Sequence, residues 1–231
     1  ARPMVTEPVT VRESTSALAE RLRASAIGSE RFILGLAGAP GAGKSTLADA
    51  LVADLNSDGE CAVALPMDGF HLPWAAIADD ERALRRGAPD TFDPGAYGQL
   101  LAHVRDAGPG EAVRAPAFDR EIEDPVANAI EVRPEHRIVV TEGNYLLLGG
   151  PWAPACACLD EVWYLDLDPD VRRERLVDRH VAFGKEPDEA RAFVLGSDER
   201  NAGVVGASRD GADLVVIVTE DAAEARDSAQ Q

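Results

Sequence analysis

Lysine is almost missing from this chain. Lys44 and Lys185 are the only two among 231 residues, and every other cation is an arginine. Neither follows an asparagine, so no N-K-x-D guanine-reading motif exists, which argues against a Ras-like GTPase, although GTP use by another route stays open. Positive charge is short overall: 23 Lys and Arg face 41 Asp and Glu, a net charge of -18. That balance argues against nucleic acid or an anionic membrane surface as a partner. No apolar run approaches the ~18 residues of a membrane span, and the first residues lack the basic-then-apolar pattern of a signal peptide, so a cytoplasmic protein is expected. Cysteine is scarce too. Cys61, Cys156 and Cys158 cannot all pair with one another, and Cys156-Ala-Cys158 lacks the second pair and the spacing of a zinc site. Small buried or loop residues are expected there.

What the sequence does contain is concentrated in Arg31–Thr46, an apolar run that breaks into glycines and then Lys44 and Ser45. Gly38 to Ser45 fits G-x-x-x-x-G-K-[ST], the P-loop. A short buried strand from Phe32 would lead into a loop whose glycines let backbone N–H groups converge on an anion at a helix N-terminus. Gly38, Ala39, Gly41, Ala42, Gly43, Lys44, Ser45 and Thr46 are the expected nucleotide-binding residues, with Lys44 on the β/γ-phosphates and Ser45 on Mg²⁺.

Periodicity organises the rest as one α/β domain over 1–231. Residues 1–9 read as a lead-in and 11–27 as a helix. Strands are expected at 32–37, 61–67, 136–141, 161–167 and 213–218, and helices at 44–55, 94–107 and 170–183. Interrupted helix follows over 186–205, and the tail from Glu220 reads as frayed. The core would comprise 30–66 and 136–220. Residues 67–133, rich in Pro, Gly and Arg, read as a substrate-binding insertion of short helices and loops, and 170–190 as a lid.

Phosphoryl transfer requires a phosphate cradle, a metal, a group to take or orient the proton of the nucleophile, and positive charge on the migrating group. Glu142 ends an apolar strand, as a Walker B acid does, and would share Mg²⁺ with Ser45. Asp68 ends the second strand, where ligands of open α/β sheets bind, and is the candidate base. Arg172, Arg175 and Arg179 share one helix face. They suit a closing lid, with Arg175 and Arg179 ahead of Arg172, and the alternative is a solvated face paired with Glu174 and Asp178. In the insertion, Asp90 or Asp119 could bind substrate hydroxyls and Arg86 or Arg120 an anionic group, or all four could be ordinary loop ion pairs. His71 lies near Asp68 and within reach of substrate. His103, His136 and His180 read as surface residues.

Taken together, Gly38-Ala-Pro-Gly-Ala-Gly-Lys-Ser45, Met67-Asp-Gly-Phe-His71, Gly87-Ala-Pro-Asp-Thr-Phe-Asp93, Ala115-Pro-Ala-Phe-Asp119 and Thr141-Glu-Gly-Asn-Tyr145 resemble, in order and spacing, the phosphoribulokinase/uridine kinase/pantothenate kinase superfamily of P-loop kinases. The resemblance implies a parallel five-stranded sheet in the order 2-3-1-4-5 with helices on both faces, ATP with Mg²⁺ as cofactors, and transfer of the γ-phosphoryl to a hydroxyl of a small metabolite. It implies Asp68 as base, Glu142 in the metal centre, and Phe118 and Tyr145 among the substrate-binding residues. Gly87 and Glu123 stand where uridine kinases carry an acidic residue and a histidine. Phe118 and Arg120 stand where pantothenate kinases carry a tyrosine and a histidine. The pattern is similar to bacterial proteins labelled nucleoside/nucleotide kinases or fructose-transport-system kinases, and a sugar, polyol or similar acceptor is expected. A uridine-like nucleoside or pantothenate is the alternative acceptor, and an ATP-hydrolysing regulator the alternative class. A homodimer is left open.

Overall fold

The structure, a computed structural model, describes residues 7–219. The tail from Glu220 and the start of the lead-in lie outside the described residues. The chain opens on a strand, β1 (Val9–Ser14), where a helix from Val11 was expected. Its Val-Thr-Val-Arg alternation favours an extended backbone half-covered on one side, and Ser14 then ends it by capping helix α1 (Thr15–Ser25), its Oγ accepting from the Ala17 N–H at 3.4 Å. The elements that follow are β2 (Phe32–Gly38), α2 (Lys44–Leu55), β3 (Ala62–Pro66), α3 (Trp74–Ile77), α4 (Pro94–Asp106), β4 (Val113–Asp119), β5 (Asp124–Val132), β6 (Ile138–Gly143), α5 (Ala153–Ala157), β7 (Glu161–Leu165), α6 (Pro169–Ala182), α7 (Pro187–Phe193), a π-turn over Val194–Asp198, α8 (Glu199–Gly206) and β8 (Leu214–Thr219).

Six of these strands form one parallel sheet in the order β1-β8-β7-β2-β6-β3. The five expected strands are present in the expected order, and β1 adds a sixth at the β8 edge. Strand parity distributes the core between two faces. Leu34, Leu36, Val140 and Trp163 pack with Leu18 and Leu22 of α1 and Leu47 and Leu51 of α2. Ile33, Val139, Val162 and Val215 pack with Tyr97, Leu101 and Val104 of α4 and with Trp152. The same parity directs two polar residues of β6. Thr141 turns to the α4 face, where its Oγ1 takes the Tyr97 hydroxyl at 2.6 Å and donates to the Leu65 carbonyl at 2.6 Å. Glu142 turns to the α2 face, towards Ser45.

The insertion holds the expected short helices and loops in its first part and departs from them in its second. It holds α4 close to its expected span, but β4 and β5 form an antiparallel hairpin whose register shifts around Pro116. The backbone N-terminal to that shift closes on the end of β3. A Cβ added to Gly69 would stand 2.4 Å from the Pro116 carbonyl oxygen. Gly69→Ala should therefore lower stability by about 1–3 kcal/mol, the usual range for overpacking, read as a shifted denaturation midpoint; an unshifted midpoint would show that the hairpin does not rest on this turn.

His136, expected at the surface, is 4% exposed, and its Nδ1 accepts from the Arg133 N–H at 3.0 Å. All three cysteines are half-buried thiols. Among the described residues no helix is long and apolar enough to cross a membrane.

Candidate active site

Glycines at positive φ turn the loop between β2 and α2. Gly41 and Gly43 take φ +81° and +92°, the left-handed region, and a Cβ on Gly41 would sit 2.7 Å from Leu176 Cγ and 3.0 Å from the Arg172 carbonyl. Helix α6 thus lies directly on the loop. Gly43 caps the N-terminus of α2, which begins at Lys44. Lys44 is 7% exposed, and its Nζ donates to the Ala39 carbonyl at 3.1 Å and to Asn144 Oδ1 at 2.7 Å. One residue on, Ser45 Oγ donates to Glu142 Oε1 at 2.8 Å.

The electrostatics follow from dryness. Burial pushes Glu142 above the usual carboxylate range, and the nearby Asp68 charge adds to this, while Lys44 and the Ser45 hydrogen bond pull the other way. Burial likewise pushes Lys44 below its ordinary value, against the attraction of Glu142 and Asp68. Both groups are held in a place that disfavours their charged forms, and an added cation beside Glu142 and added anions beside Lys44 would relieve each.

Two clefts meet over this loop. One, of about 530 Å³, is lined by Lys44, Ser45, Asp68, Glu142, Arg120 and Arg179 among others. The second, of about 790 Å³, runs along the other side of the loop past Gly43, Thr46, Leu165, Arg175 and Val216, and shares Lys44, Ser45, Arg120 and Arg179 with the first. Asp68 stands in a single 3₁₀ turn, Met67–Phe70, at the end of β3, its side chain 35% exposed and 3.7 Å from Arg120. His71 sits between Phe92, with ring centroids 3.9 Å apart, and Phe118, at 4.8 Å, its ring tilted against both. Its Nδ1 meets the Asp68 carbonyl at 2.8 Å, and burial pushes its pKa down.

A chain that carries a P-loop with this surround has recognisable relatives. An ATP-dependent kinase-like protein of Aspergillus versicolor, notR', is 41% identical over 145 residues, which is 59% of this chain and 84% of that protein. The crystal structure of a protein from Silicibacter sp. TM1040, provisionally named a fructose transport system kinase, matches with TM-score 0.79 and 36% identity over 87% of this chain and 98% of that one. The chain belongs to the P-loop kinases of the phosphoribulokinase/uridine kinase/pantothenate kinase superfamily. A Schizosaccharomyces pombe protein provisionally named a uridine kinase is 40% identical over 163 residues, 67% of this chain and 68% of that protein. A family model described as the methylmalonyl-CoA mutase-associated GTPase MeaB also matches residues 4–70 of this kinase. That stretch holds the P-loop and ends before Glu142.

Most of the residues expected in the site of this kinase share the first cleft: Lys44, Ser45, Asp68, His71, Arg86, Phe118, Arg120, Glu142 and Arg179 all border it. Three do not. Asp90 is paired with Arg85 and 51% exposed. Asp119 shapes the hairpin turn, its Oδ1 accepting from the Glu121 N–H at 2.8 Å. Tyr145 is buried behind the cleft, with its hydroxyl donating to the Gly87 carbonyl.

Arginines of α6 divide as well. Arg172 is 5% exposed and spent on structure, donating to the Pro40 carbonyl at 3.2 Å and pairing with Glu199. Arg175 borders the second cleft, with its Nη1 3.8 Å from where a Cβ on Gly43 would be. Asn144, Asp198 and Asn201 border the first cleft without having been expected there. Asn144 carried a signal, since it lies two residues beyond Glu142 in Thr141-Glu-Gly-Asn-Tyr145. Asp198 pairs with His180 at 3.0 Å, a contact set by the π-turn and invisible in a helical periodicity.

Proposed function

We propose that this P-loop kinase transfers the γ-phosphoryl of ATP to a hydroxyl of a small metabolite, a sugar, polyol or similar compound, with Asp68 taking the hydroxyl proton. The observation that carries this reading is the half-exposed Asp68 carboxylate bordering the same cleft as the buried Lys44, Ser45 and Glu142. A regulator that only hydrolysed ATP would leave Asp68 and the polar cleft around it without a task.

The residues present fit the cofactors. Ser45 Oγ and Glu142 Oε1, 2.8 Å apart, are hard oxygen donors of the kind that hold Mg²⁺ when nucleotide phosphates complete its shell. Bound there, Mg²⁺ would supply neutralisation of charge on the β- and γ-phosphates. The loop N–H groups and Lys44 bind the phosphates, with Ala39 and Asn144 fixing the ammonium in place. Asp68 orients the acceptor hydroxyl in line. As the acceptor O–P bond forms and the bond to the ADP oxygen breaks, the hydroxyl proton passes to its carboxylate. Arg175 and Arg179, on the helix packed over the loop, stabilise the equatorial charge and exclude water. In this reading 67–133 is the acceptor-binding insertion and 170–190 the lid of a single domain.

ADP release under Mg·ATP tests it, with and without a panel of sugars, polyols, nucleosides, pantothenate and their phosphorylated forms. Near-silence without acceptor and saturable release with one is the expected result; brisk release without any acceptor would favour the regulator and overturn the kinase assignment of Asp68.

A further inference from the structure

The acceptor side of the cleft holds one cation whose setting is built in unusual detail. Arg86 is only 15% exposed in its side chain, and its guanidinium lies 5.5 Å from the ring centroids of both Trp74 and Phe118. Two aromatic faces hold its plane. Its backbone is fixed too, because the carbonyl of the next residue, Gly87, accepts from Tyr145 Oη and from Asn201 Nδ2, the latter at 3.3 Å. One contact comes from the segment after β6 and the other from α8, so the arginine's position is set by two separate parts of the fold.

The guanidinium is nevertheless short of partners. A guanidinium presents donors on Nε, Nη1 and Nη2. Both protein contacts of Arg86 use Nη2: the Leu72 carbonyl at 3.4 Å and Asp124 Oδ1 at 3.2 Å. That Asp124 oxygen also accepts from the Trp74 N–H at 2.8 Å, so its charge is shared. Nε is buried with no partner, and Nη1 has none among the described residues. A rigidly held cation with its Nη1 unspent, bordering a cleft, is the kind of group that binds a carboxylate or a phosphate.

Its neighbours suit the same ligand. Arg120 borders the cleft, and both guanidiniums stand near enough to His71 to act on its charge. His71 Nδ1 donates to the Asp68 carbonyl, which assigns the ring's other nitrogen as an acceptor able to take a hydrogen bond from a hydroxyl. Clustered cations in a chain of net charge -18 are not a sample of its average surface.

We propose that the acceptor of this kinase is an anionic hydroxyl compound, a hydroxy acid or a phosphorylated sugar, whose carboxylate or phosphate is bound by Arg86 while a second hydroxyl is read by His71. The inference rests on the kinase reading and narrows it. In the reaction the O–P bond forms at the hydroxyl nearest Asp68, that proton passes to Asp68, and the anionic group at Arg86 stays unchanged.

The test uses the full chain in two readouts. Calorimetric binding with a non-hydrolysable ATP analogue and Mg²⁺ compares glycerate and gluconate with glycerol and sorbitol, and fructose 6-phosphate and ribose 5-phosphate with fructose and ribose. ADP release is measured on the same pairs. The proposal expects at least one anionic compound to bind and turn over while its neutral counterpart does so at least roughly 10-fold less well, and the successful pair tells carboxylate from phosphate. Arg86→Gln should then raise KM for that compound roughly 10- to 100-fold, the usual worth of hydrogen bonds to a charged group, with kcat much less affected and KM for ATP unchanged. Arg86→Lys should recover part of the loss, which a merely structural role would not predict. Neutral compounds performing as well as anionic ones, no anion-dependent binding, or an unchanged KM in a folded Arg86→Gln protein would each overturn it. Anion binding without any ADP release would leave the Arg86 site standing and fail the kinase reading instead.

Discussion

Asp68→Asn is expected to lower kcat by about 10²- to 10⁴-fold, the range that a positioned general base contributes, while leaving ATP affinity almost unchanged. The substitution keeps the shape of the side chain and removes the proton acceptor. It also takes away the partner of Arg120, which stands 3.7 Å off. Lys44, Ser45 and Glu142 are tied to one another and to Ala39 and Asn144 by contacts that do not pass through Asp68, so the phosphate cradle should survive. ADP release with a working acceptor and equilibrium titration with ATP check the two halves separately. Equal loss in both would mean that Asp68 supports the nucleotide site and is not the base.

The second large effect is at Lys44. Lys44→Ala should reduce kcat/KM for ATP by about 10²- to 10³-fold, comparable to removing a preorganised charge donor from a dry site, and weaken ATP far more than adenosine. The physical basis is the burial of Nζ at 7% residue exposure between the Ala39 carbonyl and Asn144: its charge is desolvated before any ligand arrives and gains the more from phosphate oxygens. Adenosine lacks those oxygens, so its binding should be insensitive to the Lys44 charge. Titration with both ligands measures the difference. If ATP and adenosine weaken alike, the lysine holds the loop in shape and does not read the phosphates.

How far the site could be read from the sequence depended on how local each residue's job is. The P-loop is local: a strand, glycines that turn the backbone, and a helix start, all within Phe32–Leu55, so its spelling and its shape coincide. Glu142 and Asp68 were legible because strand ends in a parallel sheet collect at one edge, whatever the loops do. Arg172 was not. Its i, i+3 and i+7 spacing with Arg175 and Arg179 describes one helix face, but the close approach of α6 to Gly41 buries the first arginine of that face and leaves the later two at the clefts.

Loops show the same limit. Asp90 and Asp119 had the right chemistry for a hydroxyl, and each found a nearer partner, Arg85 in one case and backbone N–H groups in the other. The hairpin β4–β5 was hidden because Pro116 and Pro125 interrupt its strands and Glu123 and Asn128 take positive φ, 53° and 57°, where glycine would have signalled a turn. For β1, Val11 fitted the apolar face of the following helix as well as it fitted a strand; only pairing with residues at the other end of the chain decides the matter.

That pairing carries a consequence for how the molecule is made. Val9–Ser14 lies in register with Leu214–Thr219, its sole neighbour in the sheet among the described residues. The segment leaves the ribosome about two hundred residues ahead of its partner, and contacts so distant along the chain are the last that closure entropy allows to form. During synthesis the P-loop, β3 and β6 can assemble while Val9–Ser14 still waits for its partner. Every part of the phosphate cradle, from the P-loop through Glu142 and Asn144 to α6 packed over Gly41, is thus synthesised before the strand that closes this edge of the sheet.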